Sequence, residues 1–181
     1  MKTLVLLADG SEEMEAVIVI DVLRRAGWPV TVAAIGEQLL LQASRDVKIQ
    51  ADILLQDCES SSFNLLVLPG GKGGTDRFIA DSTVQALLRT WDKAGKPLAA
   101  ICAAPLALDA AGILRHRQYT CYPGIETQIS AGTHCEREVV QDENLITSRG
   151  PGTAFGFALT LVATFESEEA AEKLRRQMVL S

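Results

Sequence analysis

Apolar runs alternate with amphipathic segments along most of this chain. Four runs are largely apolar, as expected for strands covered on both faces of a sheet. They lie at 2–8, 28–35, 63–68 and 97–101. Helices are predicted where apolar residues recur at helical spacing, at 12–26, 81–94, 103–111, 151–165 and 167–178. The pattern therefore predicts strands and helices in alternation.

The remaining segments are shorter and less regular. Residues 39–55 have a β-like pattern that predicts a hairpin through Ser44-Arg45-Asp46, and short strands are expected at 118–121, 138–140 and 145–147. No linker, repeat or low-complexity segment divides the chain, so one domain spanning 1–181 is expected. The alternation predicts an α/β fold with a doubly wound, mostly parallel sheet and helices on both faces.

Chemistry in such a sheet gathers outside the carboxyl ends of the strands. Three features of the sequence should meet at that edge. They are the turn at 9–15, the Pro69-Gly70-Gly71 turn and Cys102.

Cys102, at the end of the fourth apolar run, is a candidate nucleophile. The small residues Ala100 and Ala104 flank it two positions away on either side. A nucleophile elbow needs small neighbours because its sharp strand-to-helix turn crowds the backbone, although glycine is usual there. A helix N-terminus favours negative charge, which predicts a lowered pKa for this thiol. The alternative is a buried structural cysteine, since free cysteine is among the most buried residue types.

Acidic residues cluster at the start of the first predicted helix. Asp9 or Ser11 is the expected N-cap, and carboxylates suit the positive end of the helix dipole. For that reason Glu12 and Glu13 are expected to face water.

Glu15 is expected to differ from these two glutamates. It follows Met14, the first residue of the predicted buried stripe of the helix (Met14, Val17, Ile18 and Val22), and is expected to be partly buried. A buried carboxylate near a thiol forms a coupled pair that shares one proton, because two negative charges in contact repel. A protonated Glu15 would donate a hydrogen bond to the Cys102 thiolate, which raises the pKa of the acid and lowers that of the thiol.

The Gly70-Gly71 pair ends the third apolar run and permits close backbone approach. The amides of Gly70 and Gly71, together with that of Ala103, are candidates for an oxyanion hole. The alternative is a plain turn, which such dipeptides commonly mark. Residues 70–75 do not fit the phosphate-loop pattern, because the lysine comes too early.

Composition narrows the functional class. The 181 residues are 48% hydrophobic and only 5% aromatic, which favours one sizeable aliphatic core. The net charge of −6 and the lack of a basic run argue against nucleic-acid binding. The apolar start is shorter than a secretion signal requires, and the longest uncharged run, 150–165, falls short of a membrane span. We therefore expect no membrane partner, and no motif points to a cofactor.

The cysteines and histidines show no metal-binding spacing. Cysteines stand at positions 58, 102, 121 and 135 without any C-x-x-C pair, so neither a metal site nor a disulfide framework is expected. A reduced, cytoplasmic protein is the default. His116 lies in a charged stretch and His134 in a polar one. A Cys–His dyad remains open, but surface positions are favoured for both.

Six segments together resemble the DJ-1/ThiJ/PfpI superfamily. They follow one another in register over essentially the whole chain, at 10–16, 24–27, 44–47, 67–71, 99–105 and 147–153. The sequence most resembles the DJ-1 branch with its bacterial members. This resemblance implies a flavodoxin-like fold that forms a homodimer, with Arg45 and Arg25 near the dimer interface.

The same resemblance implies residue roles. Cys102 would be the elbow nucleophile and the site of oxidation, with Glu15 as its protonated partner. The amides of Gly71 and Ala103 would contact an oxyanion or a sulfinate.

One position departs from the family pattern. Many members have a histidine before a proline after the elbow helix, whereas Tyr122 precedes Pro123 here. Tyrosine has a reference pKa of about 10 and is a poor general base near neutrality. This argues against fast hydrolytic or glyoxalase-type turnover and leaves oxidation of the thiol unaffected.

The resemblance implies several activities. We expect a stress-protective enzyme that removes glycation adducts from proteins or nucleotides, or converts methylglyoxal to lactate in the manner of a glutathione-independent glyoxalase. Its substrates would be small carbonyl compounds or glycated molecules. The alternatives are a non-enzymatic oxidant sensor, in which Cys102 becomes a sulfinate, and a redox-regulated chaperone that binds misfolded client proteins. Peptidase action is not expected without the histidine.

Overall fold

The computed structural model describes residues 1–180. Its strands are β1 (Thr3–Leu7), β2 (Val30–Ala34), β3 (Leu40–Gln42), β4 (Lys48–Gln50), β5 (Ile53–Leu54), β6 (Leu65–Leu68), β7 (Leu98–Ile101), β8 (Gln118–Tyr119), β9 (Thr133–His134), β10 (Val139–Asp142) and β11 (Leu145–Ser148). Its α-helices are α1 (Glu13–Arg25), α2 (Lys72–Ala80), α3 (Ser82–Lys93), α4 (Pro105–Ala110), α5 (Ala154–Phe165) and α6 (Glu168–Gln177). Short 3-10 helices lie at Leu55–Asp57, Ser60–Ser62, Ile125–Gln128 and Pro151–Thr153.

Over residues 1–180, seven strands form a central sheet in the order β10-β11-β7-β6-β1-β2-β5. Neighbouring strands are parallel except β10, which is antiparallel to β11. The doubly wound, mostly parallel sheet of a flavodoxin-like fold is therefore confirmed. The predicted hairpin is also present, as the antiparallel pair β3–β4.

Helices cover both faces of the sheet, which explains the continuous apolar runs. Helices α1, α5 and α6 pack on one face, where Val5 and Leu7 of β1 point. Helices α2, α3 and α4 pack on the other, where the alternate residues Leu4 and Leu6 point. Because successive side chains of a strand face opposite sides, both sets must be apolar.

Helix α1 turns a different face to the sheet than the sequence predicts. Met14 and Val17, assigned to the buried stripe, are 54% and 52% exposed. The buried face instead carries Ala16 and Val19, together with Glu15, which is completely buried. The carboxyl of Glu15 accepts a hydrogen bond from a backbone amide, which fixes this orientation of the first turn.

The predicted N-caps of α1 are also wrong. Glu12 caps the helix, since its side chain accepts a hydrogen bond of 2.8 Å from the amide of Glu15. Ser11 Oγ instead accepts from the amide of Ala8, and Asp9 accepts from that of Gln42. Both side chains stabilise the loop that precedes the helix rather than the helix itself.

Helix α2 was not predicted, because residues 70–75 have the composition of a turn. Gly73 and Gly74 lie inside this helix and pass close to the loop before α1. A Cβ atom on Gly74 would lie 2.5 Å from Ser11 Oγ. Tertiary packing therefore requires glycine here and outweighs its low helix propensity. No helix within residues 1–180 has both the length and the apolar character that crossing a bilayer demands.

Candidate active site

The carboxyl ends of β1, β6 and β7 bring three segments together at one edge of the sheet. These adjacent strands end at Leu7, Leu68 and Ile101. The first leads into α1 with Glu15, the second into the Gly70-Gly71 turn and the third directly into Cys102. The structure thus places these candidate residues beside one another, as expected for the ligand-binding edge of such a sheet.

Cys102 lies in a backbone conformation that side chains rarely adopt. Its φ is +66°, in the left-handed region that favours glycine. Two hydrogen bonds of 2.9 Å hold it there: its amide donates to the carbonyl of Ser148, and its carbonyl accepts from the amide of Tyr122. A strained turn between strand and helix is the geometry of a nucleophile elbow. The bracing by Ser148 and Tyr122 had no signal in the sequence, because both contacts use the backbone.

Backbone amides surround the sulfur of Cys102. The N–H groups of Gly71 and Ala103 lie close enough to it to favour a negative charge on the sulfur. Gly70 is required next to it, because a Cβ atom there would lie 2.6 Å from Cys102 Cβ and 2.9 Å from Glu15 Oε2. This arrangement suits an atom that carries negative charge at or near the sulfur.

Glu15 is buried beside the same sulfur. Its Oε2 accepts a hydrogen bond of 2.7 Å from the amide of Gly70. Its Oε1 is buried and has no hydrogen-bond partner among the described residues. Burial, chiefly, raises the pKa of Glu15 to about 7, with a smaller contribution from the charge of Glu12, while the hydrogen bond from Gly70 and the adjacent Cys102 thiol lower it. The predicted rise in the pKa of Glu15 therefore agrees with the structure.

The predicted lowering of the pKa of the Cys102 thiol does not agree with the structure. Burial first, and the negative charge of Glu15 second, raise the pKa of Cys102 to about 12 against the lowering effect of the Gly71 and Ala103 amides. The repulsion depends on the ionised carboxylate. Once Glu15 holds its proton, the repulsion disappears and its O–H becomes a hydrogen-bond donor toward sulfur. A thiolate at this site therefore requires that Glu15 keep the shared proton.

This coupling predicts a pH-dependent contribution to stability. The pKa of Glu15 rises from 4.5 to about 7 on folding, so the folded state binds an extra proton between these values and loses stability as pH increases through them. Relative to Glu15→Gln, we expect the wild type to lose about 3 kcal/mol of unfolding free energy between about pH 5 and about pH 8. Urea unfolding of both proteins measures this difference. Parallel pH profiles would show that Glu15 is not protonated in the folded state.

Tyr122 lies next to the elbow through its backbone, and its side chain is half exposed. Its ring packs beside Gly150 and lines an open cavity of about 250 Å³ with Glu138, Arg149 and the turn at 150–153. Larger cavities lie elsewhere; one of about 550 Å³ is lined by Asp9, Lys48 and Arg77, among others. Cys102 lines neither of these two cavities.

The two arginines assigned to the dimer interface lie on the surface, outside the elbow. Arg45 is at the tip of the β3–β4 hairpin, where its guanidinium donates to the carbonyl of Ser44, and Arg25 pairs with Asp21 at 2.5 Å. Glu13 was expected to face water but is buried, because it accepts hydrogen bonds from Ser44 Oγ and the Arg45 amide. This contact fastens the hairpin to the start of α1.

Comparison with known proteins identifies the family. The DJ-1/PfpI family model matches residues 1–164. Protein DJ-1 homolog B of Arabidopsis thaliana is 45% identical over 174 residues, which cover 96% of this chain but only 40% of that protein. The chain thus spans less than half the length of the two Arabidopsis relatives it matches.

Two further proteins match along nearly their whole length. Glutathione-independent glyoxalase DJR-1.2 of Caenorhabditis elegans is 33% identical over 175 residues, which cover 96% of this chain and 92% of that one. The crystal structure of Drosophila melanogaster DJ-1beta superposes with a TM-score of 0.96 at 40% identity and covers all of both chains. On its elbow, its sheet topology and these matches, the chain belongs to the DJ-1/PfpI family.

Proposed function

We propose that this chain is a cysteine-dependent, glutathione-independent glyoxalase that converts small 2-oxoaldehydes such as methylglyoxal to 2-hydroxy acids. The observation that carries the proposal is the strained Cys102, with two amides on its sulfur and a buried carboxyl of raised pKa beside it. The name of the C. elegans relative supports the same chemistry.

The residues suggest a sequence of steps from the 2-oxoaldehyde to the 2-hydroxy acid. The Cys102 sulfur bonds to the aldehyde carbon while its own proton is held by Glu15, and the new oxyanion lies against the amides of Gly71 and Ala103. Glu15 donates its proton to that oxygen, which completes the hemithioacetal. As a carboxylate it then removes the hydrogen from the former aldehyde carbon and returns a proton to the neighbouring carbon. The hydroxyl proton of the hemithioacetal moves to the neighbouring oxygen, which leaves the thioester of a 2-hydroxy acid. Water hydrolyses the thioester to the hydroxy acid and frees the thiol.

Because position 122 is not a histidine, Glu15 would have to carry out all the proton transfers. Tyr122 has a half-exposed ring, and a phenol is a poor base near neutral pH. Glu15, with its pKa near 7, is matched to accept and release protons at physiological pH. We therefore expect slow turnover, with the acid limb of the pH–rate profile set by Glu15.

The same enzyme chemistry extends to deglycation. Early adducts of methylglyoxal with protein or nucleotide amines carry a carbon bonded to both oxygen and nitrogen. Release of the amine regenerates the aldehyde that the Cys102 sulfur attacks. Deglycase activity would therefore use the same residues, and it is tested by amine release that depends on Cys102.

A second candidate function is oxidant sensing, and one observation favours it. Glu15 Oε1 is buried without a hydrogen-bond partner, so a protonated Glu15 is available to donate to an oxygen added to the sulfur. Peroxide converts the thiolate to a sulfenate and then to a sulfinate, with one water formed from each peroxide consumed. A hydrogen bond from Glu15 would stabilise the sulfinate.

One experiment separates the two functions. The protein is incubated with methylglyoxal in the absence of glutathione, and lactate is measured against protein concentration. Several molecules of lactate per chain support the enzyme. Turnover no greater than in buffer, together with addition of two oxygen atoms to Cys102 by mild peroxide, would support the sensor and reject the enzyme. A chaperone role predicts suppression of client aggregation that survives Cys102→Ser.

We further propose that the chain forms a homodimer through the exposed side of α1. Met14 and Val17 on that helix, and Leu40 and Val47 on the β3–β4 hairpin, are large apolar side chains that are about half exposed. A group of such residues is typical of a protein interface. Sedimentation equilibrium is expected to give twice the 19.5 kDa mass of one chain, and the mass of a single chain would refute this proposal.

We also propose a cytoplasmic location. All four cysteines are free thiols, which suits a reducing compartment. Fractionation of cells that express the tagged chain tests this assignment.

A further inference from the structure

Three side chains able to bind a metal lie together outside the elbow. Cys121 follows β8, Glu126 lies in the 3-10 helix Ile125–Gln128, and His134 ends β9. Their ligand atoms all lie within 4.8 Å of one another. Parallel pairing of β8 with β9 sets Tyr119 opposite His134 and so brings the two strand ends together.

We propose that Cys121, Glu126 and His134 form a binding site for a divalent cation of the zinc type, with water as the fourth ligand. Thiolate, imidazole and carboxylate are the protein ligands that Zn²⁺ takes, and three protein ligands with one water is a common set. Ligand atoms around a tetrahedral Zn²⁺ lie about 3.3–3.8 Å apart, given bond lengths of about 2.0–2.3 Å. The observed separations therefore require the side chains to move by no more than about 1.5 Å on binding.

Neighbouring groups orient these ligands. The amide of Gly124 donates to Glu126 Oε2 at 2.7 Å, which fixes the carboxylate. The ring of Tyr119 packs against that of His134, with centroids 5.6 Å apart, and limits rotation of the imidazole. Such outer contacts are characteristic of sites that hold a metal in defined geometry.

Charge balance supports a cation here. Cys121 is completely buried, and a carboxylate oxygen of Glu126 lies within 4.8 Å of its sulfur. A divalent cation neutralises the thiolate and the carboxylate together. Binding forms a sulfur–metal bond and releases the thiol proton to solvent, so no oxidant or reductant is needed.

The site is separate from the elbow but adjacent to it in the chain. It joins three segments of the excursion between α4 and β10, which contains β8 and β9 but no strand of the central sheet. Cys121 precedes Tyr122, whose amide braces Cys102, yet none of the three ligands takes part in the proposed glyoxalase chemistry. A bound cation is therefore expected to stabilise this excursion whatever reaction occurs at Cys102.

Cobalt binding tests the proposal directly. The protein is studied with Cys102→Ser, so that the elbow thiol cannot bind metal. Titration with Co²⁺ is expected to produce thiolate-to-metal charge-transfer absorbance that saturates at one equivalent and is displaced by Zn²⁺. Adding Cys121→Ser should abolish this absorbance. Adding His134→Gln, at a half-buried position that is expected to tolerate the change, should weaken binding at least tenfold.

The matched control is Cys135→Ser, which removes the thiol adjacent to His134 but none of the three ligands. It is expected to leave the absorbance, the affinity and the rise in Tm caused by Zn²⁺ unchanged. Absence of the charge-transfer band in Cys102→Ser would overturn the proposal. So would equal Co²⁺ affinity with and without His134→Gln, even if Cys121→Ser proved too unstable to study.

Discussion

Cys102→Ser is expected to reduce lactate formation from methylglyoxal by roughly a thousandfold or more, because it removes the nucleophile of every covalent step. Serine is nearly the same size, but at neutral pH its hydroxyl does not ionise, and Glu15 is too weak a base to deprotonate it. The backbone hydrogen bonds to Ser148 and Tyr122 do not involve the side chain and remain. Initial rates of lactate formation, measured at saturating substrate for both proteins, give the ratio.

Cys58→Ser is the control for this result. Cys58 is a free, partly buried thiol on the segment between β5 and β6, outside the elbow, and its loss should leave the rate unchanged. Unfolding by urea should show similar stabilities for Cys102→Ser and the wild type. Activity of Cys102→Ser within tenfold of the wild type would mean that the carbonyl chemistry occurs without this sulfur.

Much of the fold could be predicted because strands buried on both faces of the sheet appear in the sequence as nearly continuous apolar runs. The runs 2–8 and 97–101 are largely apolar because alternate residues pack under helices on opposite sides of the sheet. Helix α2 could not be predicted in this way. Gly73 and Gly74 weaken a helix locally, and the reason for them is the approach of the loop before α1, which is distant in sequence.

The candidate site was predictable in its residues but not in its electrostatics. Cys102 and Glu15 each stand after a strand in positions that the topology brings together. The raised pKa of Cys102, however, depends on how completely both side chains are buried. The spacing of apolar residues in α1 predicted the wrong buried face for this helix. The cluster of Cys121, Glu126 and His134 was missed because its members come from three separate short segments without a metal-binding spacing.

Gly71→Ala is expected to cause the largest loss of stability among single methyl additions near the site. Gly71 has φ +84° and ψ 127°, a combination that a residue with a side chain adopts only under strain. An added Cβ would collide with the carbonyl oxygen of Gly10 and would lie 2.5 Å from the amide nitrogen of Glu12. Both are backbone atoms, which cannot rotate away as a side chain does. Strain and overpacking together predict a loss of about 4 kcal/mol or more in unfolding free energy.

Gly27→Ala is the control, because Gly27 has nearly the same φ, +77°, but no atom within 4 Å of an added Cβ. It should therefore lose only a conformational contribution, about 1 kcal/mol. Urea unfolding of the two variants measures the difference, which combines the additional strain from the ψ of Gly71 with the contact between the turn after β6 and the loop after β1. This contact also places the Gly71 amide on the Cys102 sulfur, so any Gly71→Ala protein that folds should lose thiol reactivity as well. Equal losses of stability in the two variants would show that the loops separate at little cost, and that the amide is not held against the sulfur by packing.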